Sequence, residues 1–483
     1  MDTNKLRQKI LDLAIRGKLV SQDPNDEPAS VLIEKIRSEK ERLIKEKKIK
    51  RDKNESYIYR SDKSYYEKFA DGTVKCIDEE IPFEIPESWE WCRLNTILSK
   101  LTDGTHHSPE NVPIGDYMYI TAKNIKSDGI LLKDITYVSK EVHDEIYTRC
   151  NPEKGDILYI KDGATTGIAT INSLSEPFSM LSSVALLKPI KHLNNYYLLD
   201  FLQSPLCYNF TRNNMKGVGI TRVTLTQMER WLIPIAPLKE QKCIVEQVDD
   251  LFSAVIDINR NKEELFDYIK NAKSKILDLA VRGKLVPQDP NDEPASVLLE
   301  RIKAERPEGK KKAKSTSDNS HYENLPFEIP QSWAWCQLDD ILDYEQPTEY
   351  IVQTTNYSDL YQTPVLTAGK SFLIGHTDEK QGIFKNIPVI IFDDFTTESK
   401  YVDFEFKVKS SAMKMLKANN NVNLRYVFYY MSITKLLGDS HKRYWISEYS
   451  KLYIPIPPYE EQERIVHQVK NIFSNLDVIV NEL

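Results

Sequence analysis

The chain contains itself twice, and this repeat constrains its fold more than any other feature. KILDLAIRGKLVSQDPNDEPASVLIEKI, from Lys9, recurs as KILDLAVRGKLVPQDPNDEPASVLLERI from Lys275. The copies differ only at Ile15/Val281, Ser21/Pro287, Ile33/Leu299 and Lys35/Arg301. IPFEIPESWEWCRL from Ile81 recurs as LPFEIPQSWAWCQL from Leu325. PIAPLKEQKCIVEQVDDLFS from Pro234 recurs more loosely as PIPPYEEQERIVHQVKNIFS from Pro455. Between the shared segments lie two blocks, roughly 95–233 and 339–454, with little sequence in common. A duplicated frame therefore carries two unlike inserts, and the repeat must be read before any single element.

The shared segments have a helical period. In the middle of the chain, apolar residues fall at Ile244, Val248, Leu251, Val255, Ile258, Leu265, Ile269, Ala272, Ile276 and Leu279, in 4-3 steps broken at Lys262. That spacing is a heptad seam, and Pro237 suits the helix start. The C-terminus holds the first part of the same seam in Ile465, Val469, Ile472, Leu476, Ile479 and Leu483. The N-terminus holds the rest in Leu6, Ile10 and Leu13. The two chain ends are thus expected to rebuild a second rod, antiparallel to the central one, in a pseudo-twofold circular arrangement.

Each block breaks into short apolar runs bounded by Gly, Asp, Asn and Ser, which read as strands. The first has YMYITAKNI, GILLKDITYVS, KGDILYIKDGATTGIATI and SSVALLKPI, then YYLLDFLQSPLCYNF as a helix. The second has TPVLTAG, FLIGHT, IPVIIFDDFT and AMKMLK, then LRYVFYYMSITKLLG as a helix. The expected fold class is α+β: two α/β domains separated by two long antiparallel coiled-coil regions. The expected segments are 1–52 (helical), 53–237 (first domain), 238–306 (central helical), 307–458 (second domain) and 459–483 (C-terminal helix).

The bulk numbers agree with such a protein. A chain of 483 residues exceeds one ordinary core. The N-terminus is polar, and no run of apolar residues is long enough to cross a bilayer, so a cytoplasmic protein without a membrane partner is expected. None of the six cysteines forms a C-x-x-C pair, which argues against a zinc site. A net charge of −7 argues against a histone-like coat but leaves local basic surfaces open.

The layout resembles the specificity (S) subunit of type I restriction-modification systems over essentially the whole chain. DGTHHSPE (103–110), GDILYIKDGATTG (155–167), TAGKSFLIGHT (367–377), IIFDDFTT (390–397), PIPPYEEQERIV (455–466) and the repeated LDLAxRGKLVxQDPNDEP carry the resemblance, in their order within a duplicated frame. It implies two target-recognition domains, each reading one half of a bipartite, asymmetric site on double-stranded DNA. It implies helices that fix the spacer and dock two modification subunits. Those partners would methylate adenine with S-adenosylmethionine, and restriction subunits would add cleavage dependent on ATP and Mg. The chain itself would be non-catalytic, with no cofactor or metal. Against the family layout it starts mid-helix and stops early in the last helix, as a permuted or C-terminally short version would.

A DNA reader needs donors for phosphates and base edges. In the first block the candidates are Thr105, His106 and His107 on a Gly-led turn, Lys161, Thr165 and Thr166 beside Gly163 and Gly167, and Lys216, Thr221 and Arg222 after the helix. In the second they are Lys370, Ser371 and His376, then Lys442, Arg443 and Tyr444. Two basic stretches, 37–53 and 300–314, read as solvated helix ends and tethers before DNA contacts. Trp89, Trp91, Trp333 and Trp335, at matched places in the frame, read as core. PVLTAGKS (364–371) mimics a phosphate loop but lacks its leading Gly. No methyltransferase N/D-P-P-Y/F element is present, and Asp393 and Asp394 lack the lysine spacing of a metal nuclease.

Overall fold

The computed structural model describes every residue except Met1, 53–54, 215–221, 306–324, 370, 435 and 437–442. It divides into two compact units, Met1–Arg260 and Asn261–Leu483, with the boundary inside the long helix Leu238–Val281.

The helices of the shared frame pack within each unit. In the first, Ile10, Leu11 and Ala14 of helix Thr3–Ile15 meet Ile244, Val248 and Val255. Arg7 stacks on Phe252 at 5.0 Å and Gln22 donates to Glu240, so the two segments run antiparallel. In the second, Ile465, Val466 and Val469 of helix Tyr459–Glu482 share a core with Leu277, Ala280 and Val281. Lys273 lies 5.1 Å from the Phe473 ring, and Gln288 donates to Glu461, which repeats the first unit's contacts. Of the expected seam, Ile479 is 43% exposed and lies outside it, whereas Leu11 and Leu277, which the 4-3 spacing passed over, are buried. An α-helix turns every 3.6 residues, so a strict 3.5 count drifts off the contact face.

Both inserts have one topology. The first unit has a four-stranded antiparallel sheet ordered Ala169–Ile171, Ile157–Ile160, Val184–Pro189, Leu98–Asp103. The second has Ser399–Val402, Val389–Asp393, Met413–Ala418, Leu342–Glu345, in the same chain positions and order. Each also has a three-stranded sheet with one parallel pair: Tyr117–Ile120 with Ser179–Met180, and Thr363–Leu366 with Lys407–Val408. The central strands, ILYI and VIIFD, are buried almost throughout, which their unbroken apolar runs announce.

Each insert leaves and rejoins the frame through two paired strands: Glu90–Arg93 with Leu232–Ile235, and Ala334–Gln337 with Tyr453–Ile456. Trp89 and Trp333 are buried there, and their indole N–H groups donate to Glu240 at 2.8 Å and Glu461 at 3.0 Å. Trp91 is buried as well, while Trp335 is half-buried against Phe327.

The segment expected as one helix over YYLLDFLQSPLCYNF is two, Asn195–Leu202 and Pro205–Asn214. Pro205 has no N–H and its ring would strike the carbonyl four residues back, so it opens a new helix instead. The second expected helix ends early, at Ile433. Strands Ser56–Ser61, Ser64–Phe69 and Val74–Cys76 and helix Lys140–Arg149 were not anticipated. Their signals were a turn at Asp62, with φ of 55°, and the cap Ser139.

Asp200, in helix Asn195–Leu202, has an Oδ2 out of solvent with no hydrogen-bond partner among the described residues. Burial, with the Asp249 carboxylate nearby, pushes it well above the usual carboxylate range. The folded chain then holds this proton more tightly than the unfolded chain. The stability it contributes is present below about pH 4 and lost as pH rises through the folded value. Asp200→Asn is therefore expected to melt higher than the parent near pH 8, with the gap closing toward about pH 4 in parallel thermal scans.

Candidate nucleic-acid interface

In the first unit, strand Leu98–Asp103 runs into Gly104 and Thr105. A Cβ at Gly104 would overlap the Met180 carbonyl. Glycine there lets Thr105 N donate to Met180 O at 2.8 Å while Ser182 N donates to Thr105 O at 2.9 Å. The turn so pinned exposes His106 and His107, while Thr105 is half-buried.

Beneath the turn, Asp103 is 3% exposed and faces three basic groups. Arg149 donates to it, Lys161 Nζ lies 3.4 Å away, and His106 Nε2 lies 3.3 Å away. Lys161 also meets Asp162 at 3.0 Å. Lys161 is thus a buried ion-pair partner, not the solvent-facing phosphate donor expected. Thr166 is internal too: its hydroxyl donates to Gly163 O at 2.7 Å and closes the turn. Thr165 stays exposed on that turn, between Gly163 and Gly167, whose φ values of 93° and 106° favour glycine.

The same turn borders a cleft of about 450 Å³ lined by Arg7, Thr165, Tyr208, Arg212 and Phe252. Two guanidiniums lie over aromatic faces there: Arg7 over Phe252, and Arg212 over Tyr208 at 5.0 Å. Arg7, Tyr208 and Arg212 were not among the expected contacts. The signal was available in the Arg and Tyr of the segment following Pro205, but the cleft itself depends on tertiary packing.

In the second unit, Asp394 and Lys414 form a buried pair at 3.2 Å, with side chains 3% and 1% exposed. Lys414 also donates to Gln346 at 3.1 Å. Asp394 Oδ1 accepts from Trp445 N, and Asp393 Oδ1 from Phe395 N and Thr396 N. Both carboxylates are committed to structure, and no group of side chains able to hold a metal ion occurs among the described residues. Tyr444, expected at DNA, is 4% exposed and belongs to the core, because the turn buries the residue after Arg443. Arg443 and Ser371 are exposed. His376 is half-buried in strand Leu373–Thr377, with a buried Nδ1 lacking a partner among the described residues. Strand Thr363–Leu366 pairs antiparallel with Leu373–Thr377, and Thr367 N donates to Phe372 O, so a strand follows PVLTAGKS where a phosphate loop would need a helix. Lys216, Thr221, Lys370 and Lys442 lie outside the described residues.

The basic stretch 37–53 is partly paired within itself. Arg42 pairs with Glu39 at 2.6 Å and Glu46 at 2.5 Å, and Arg51 pairs with Glu41 at 2.6 Å. Lys40 is buried on the Asn95 carbonyl. Most of the stretch 300–314 lies outside the described residues.

Residues 86–265 match the family described as "Type I restriction modification DNA specificity domain". That part of the chain is similar to type I DNA-specificity domains. The matched residues include every first-unit candidate contact from Thr105 to Arg222. Relatives of the specificity domain agree. The chain is 45% identical over 158 residues to the EcoR124I/EcoR124II specificity subunit of Escherichia coli, covering 31% of this chain and 39% of that protein. It is 32% identical over 400 residues to the EcoAI specificity subunit of Escherichia coli, covering 70% of this chain and 62% of that protein. The chain therefore spans 39% and 62% of the length of these two relatives. A chain from a solved type I R-M system, in a study of its complex assembly and conformational transition, has the same fold. Its TM-score is 0.54 at 15% identity, over 83% of this chain and 94% of that one. No helix among the described residues is long and apolar enough to cross a membrane.

Proposed function

We propose that this chain is the DNA-reading subunit of a type I restriction-modification complex and performs no chemistry itself. Each insert is a target-recognition domain for one half of a bipartite, asymmetric site on double-stranded DNA. The shared helices, arranged as antiparallel coiled coils in a pseudo-twofold circle, hold the spacer between the half-sites and dock two modification subunits. Those subunits methylate adenine with S-adenosylmethionine, and restriction subunits add ATP- and Mg-dependent cleavage. The complex works in the cytoplasm.

The observation that carries this reading is the pairing of one topology with two sequences. Both inserts place the same strands in the same order on a duplicated frame, yet exposed residues of their turns differ: His106, His107 and Thr165 in one, Ser371 in the other. Two like scaffolds with unlike contact residues suit two half-sites of different sequence, since base edges are read by side chains and not by fold.

Exchange of residues 95–231 for the corresponding block of another specificity subunit tests it. The hybrid, purified with its modification partner, would methylate genomic DNA, and sequencing would give the modified motif. One half of the motif should change while the other half and the spacer length stay as in the parent. A change in both halves would defeat the modular reading, and methylation by the chain alone would defeat the non-catalytic one.

A further inference from the structure

The two inserts present one arginine in the same way, although the residues that hold it differ. In the first unit the central strand Ile157–Ile160 ends at Lys161, whose N–H donates to Ser183 O at 3.0 Å; in the second, Val389–Asp393 ends at Asp394, whose N–H donates to Ala412 O at 3.1 Å. Ser183 and Ala412 each stand immediately before the neighbouring strand, so Lys161 and Asp394 occupy one topological position. The carbonyl of each accepts a further bond from a distant segment: Val223 N to Lys161 O at 2.9 Å, and Tyr444 N to Asp394 O at 2.8 Å. Val223 and Tyr444 are buried, and the residue before each is an exposed arginine, Arg222 or Arg443.

The match also holds along the chain. Each arginine stands twelve residues ahead of the proline that opens a shared segment, Pro234 or Pro455, with no gap between. The residue at this anchor is in a buried ion pair in both units, but its charge and its partner's strand differ. Lys161 meets Asp103 of strand Leu98–Asp103 in the first, and Asp394 meets Lys414 of strand Met413–Ala418 in the second. The anchor's charge and partner vary while its backbone bonds and the arginine stay. Neither guanidinium has a hydrogen-bond or ion-pair partner among the described residues. A cross-strand bond fixes the backbone that presents each guanidinium, and the planar fork fits guanine or phosphate.

We propose that Arg222 and Arg443 are equivalent DNA-contacting residues, one for each half-site. This rests on the DNA-reading function proposed above. The test uses the full complex with its modification partner, on a duplex carrying the motif found by methylation sequencing, with titration and hydroxyl-radical footprinting. Arg222→Ala should bind about tenfold more weakly and lose protection in one half of the footprint only. Arg443→Ala should lose it in the other half, and the Arg→Lys variants should recover part of the affinity. Should an alanine variant fail to assemble, Arg222→Gln and Arg443→Gln are expected to give the same half-specific losses. Binding within twofold of the parent, losses in the same half, or losses spread over both halves would overturn the assignment. If the parent complex protects no two-part site, the DNA-reading function itself fails, and that outcome is visible before any variant is made.

Discussion

Gly104→Ala is expected to disrupt the Thr105–His107 turn of the first insert while leaving the frame intact. The added methyl would overlap the Met180 carbonyl, a backbone group that cannot rotate away. Relief requires Thr105 to part from Met180 and Ser182, with loss of two backbone hydrogen bonds. Left unmade in a buried setting, such bonds cost about 1–3 kcal/mol each, so a loss of about 3 kcal/mol is expected. Urea unfolding reads the stability, and footprinting of the assembled complex reads the half-site that the proposed function gives to the first insert. A variant with the parent's unfolding midpoint and footprint would show that this close approach does not matter.

Lys414→Ala is expected to destabilise the second unit by about 3–5 kcal/mol, because it leaves the Asp394 carboxylate as an unmatched charge in the interior. The Lys414→Met, Asp394→Asn double variant should regain most of that loss. It removes both charges, and asparagine still offers an oxygen to Trp445 N. Thermal unfolding of the three proteins, read at the aromatic cluster of Phe392, Trp445 and Tyr449, gives the comparison. A double variant no better than the single one would mean that packing of the lysine stem, and not charge, makes this pair matter.

Both of these positions show where sequence reading reaches its end. The frame was legible because it is written twice, and the central strands because ILYI and VIIF are apolar without a break. Strand Ser399–Val402 was not, because it is a polar, half-buried edge. Lys161 and Tyr444 read as solvent-facing beside Gly, Thr and Arg. Lys161 is buried because its partner Asp103 arrives from another strand, and Tyr444 because its N–H is drawn onto Asp394. Local pattern carries no record of such partners. The common topology of the inserts was hidden for a related reason: burial and strand order can be kept by many residue choices, as the opposite charges of the two anchors show.

The paired strands at the root of each insert have a genetic consequence. Arg93 lies opposite Leu232, and Gln337 opposite Tyr453. Neighbouring strands are about 4.8 Å apart, so the polypeptide departs and returns at almost one point. A graft at this place has to satisfy a single distance, whatever its length or contents. The tryptophan–glutamate clasp on the frame side is untouched by the exchange. Crossovers between genes, falling in the shared segments, can therefore deliver a foreign insert into a host that stays folded.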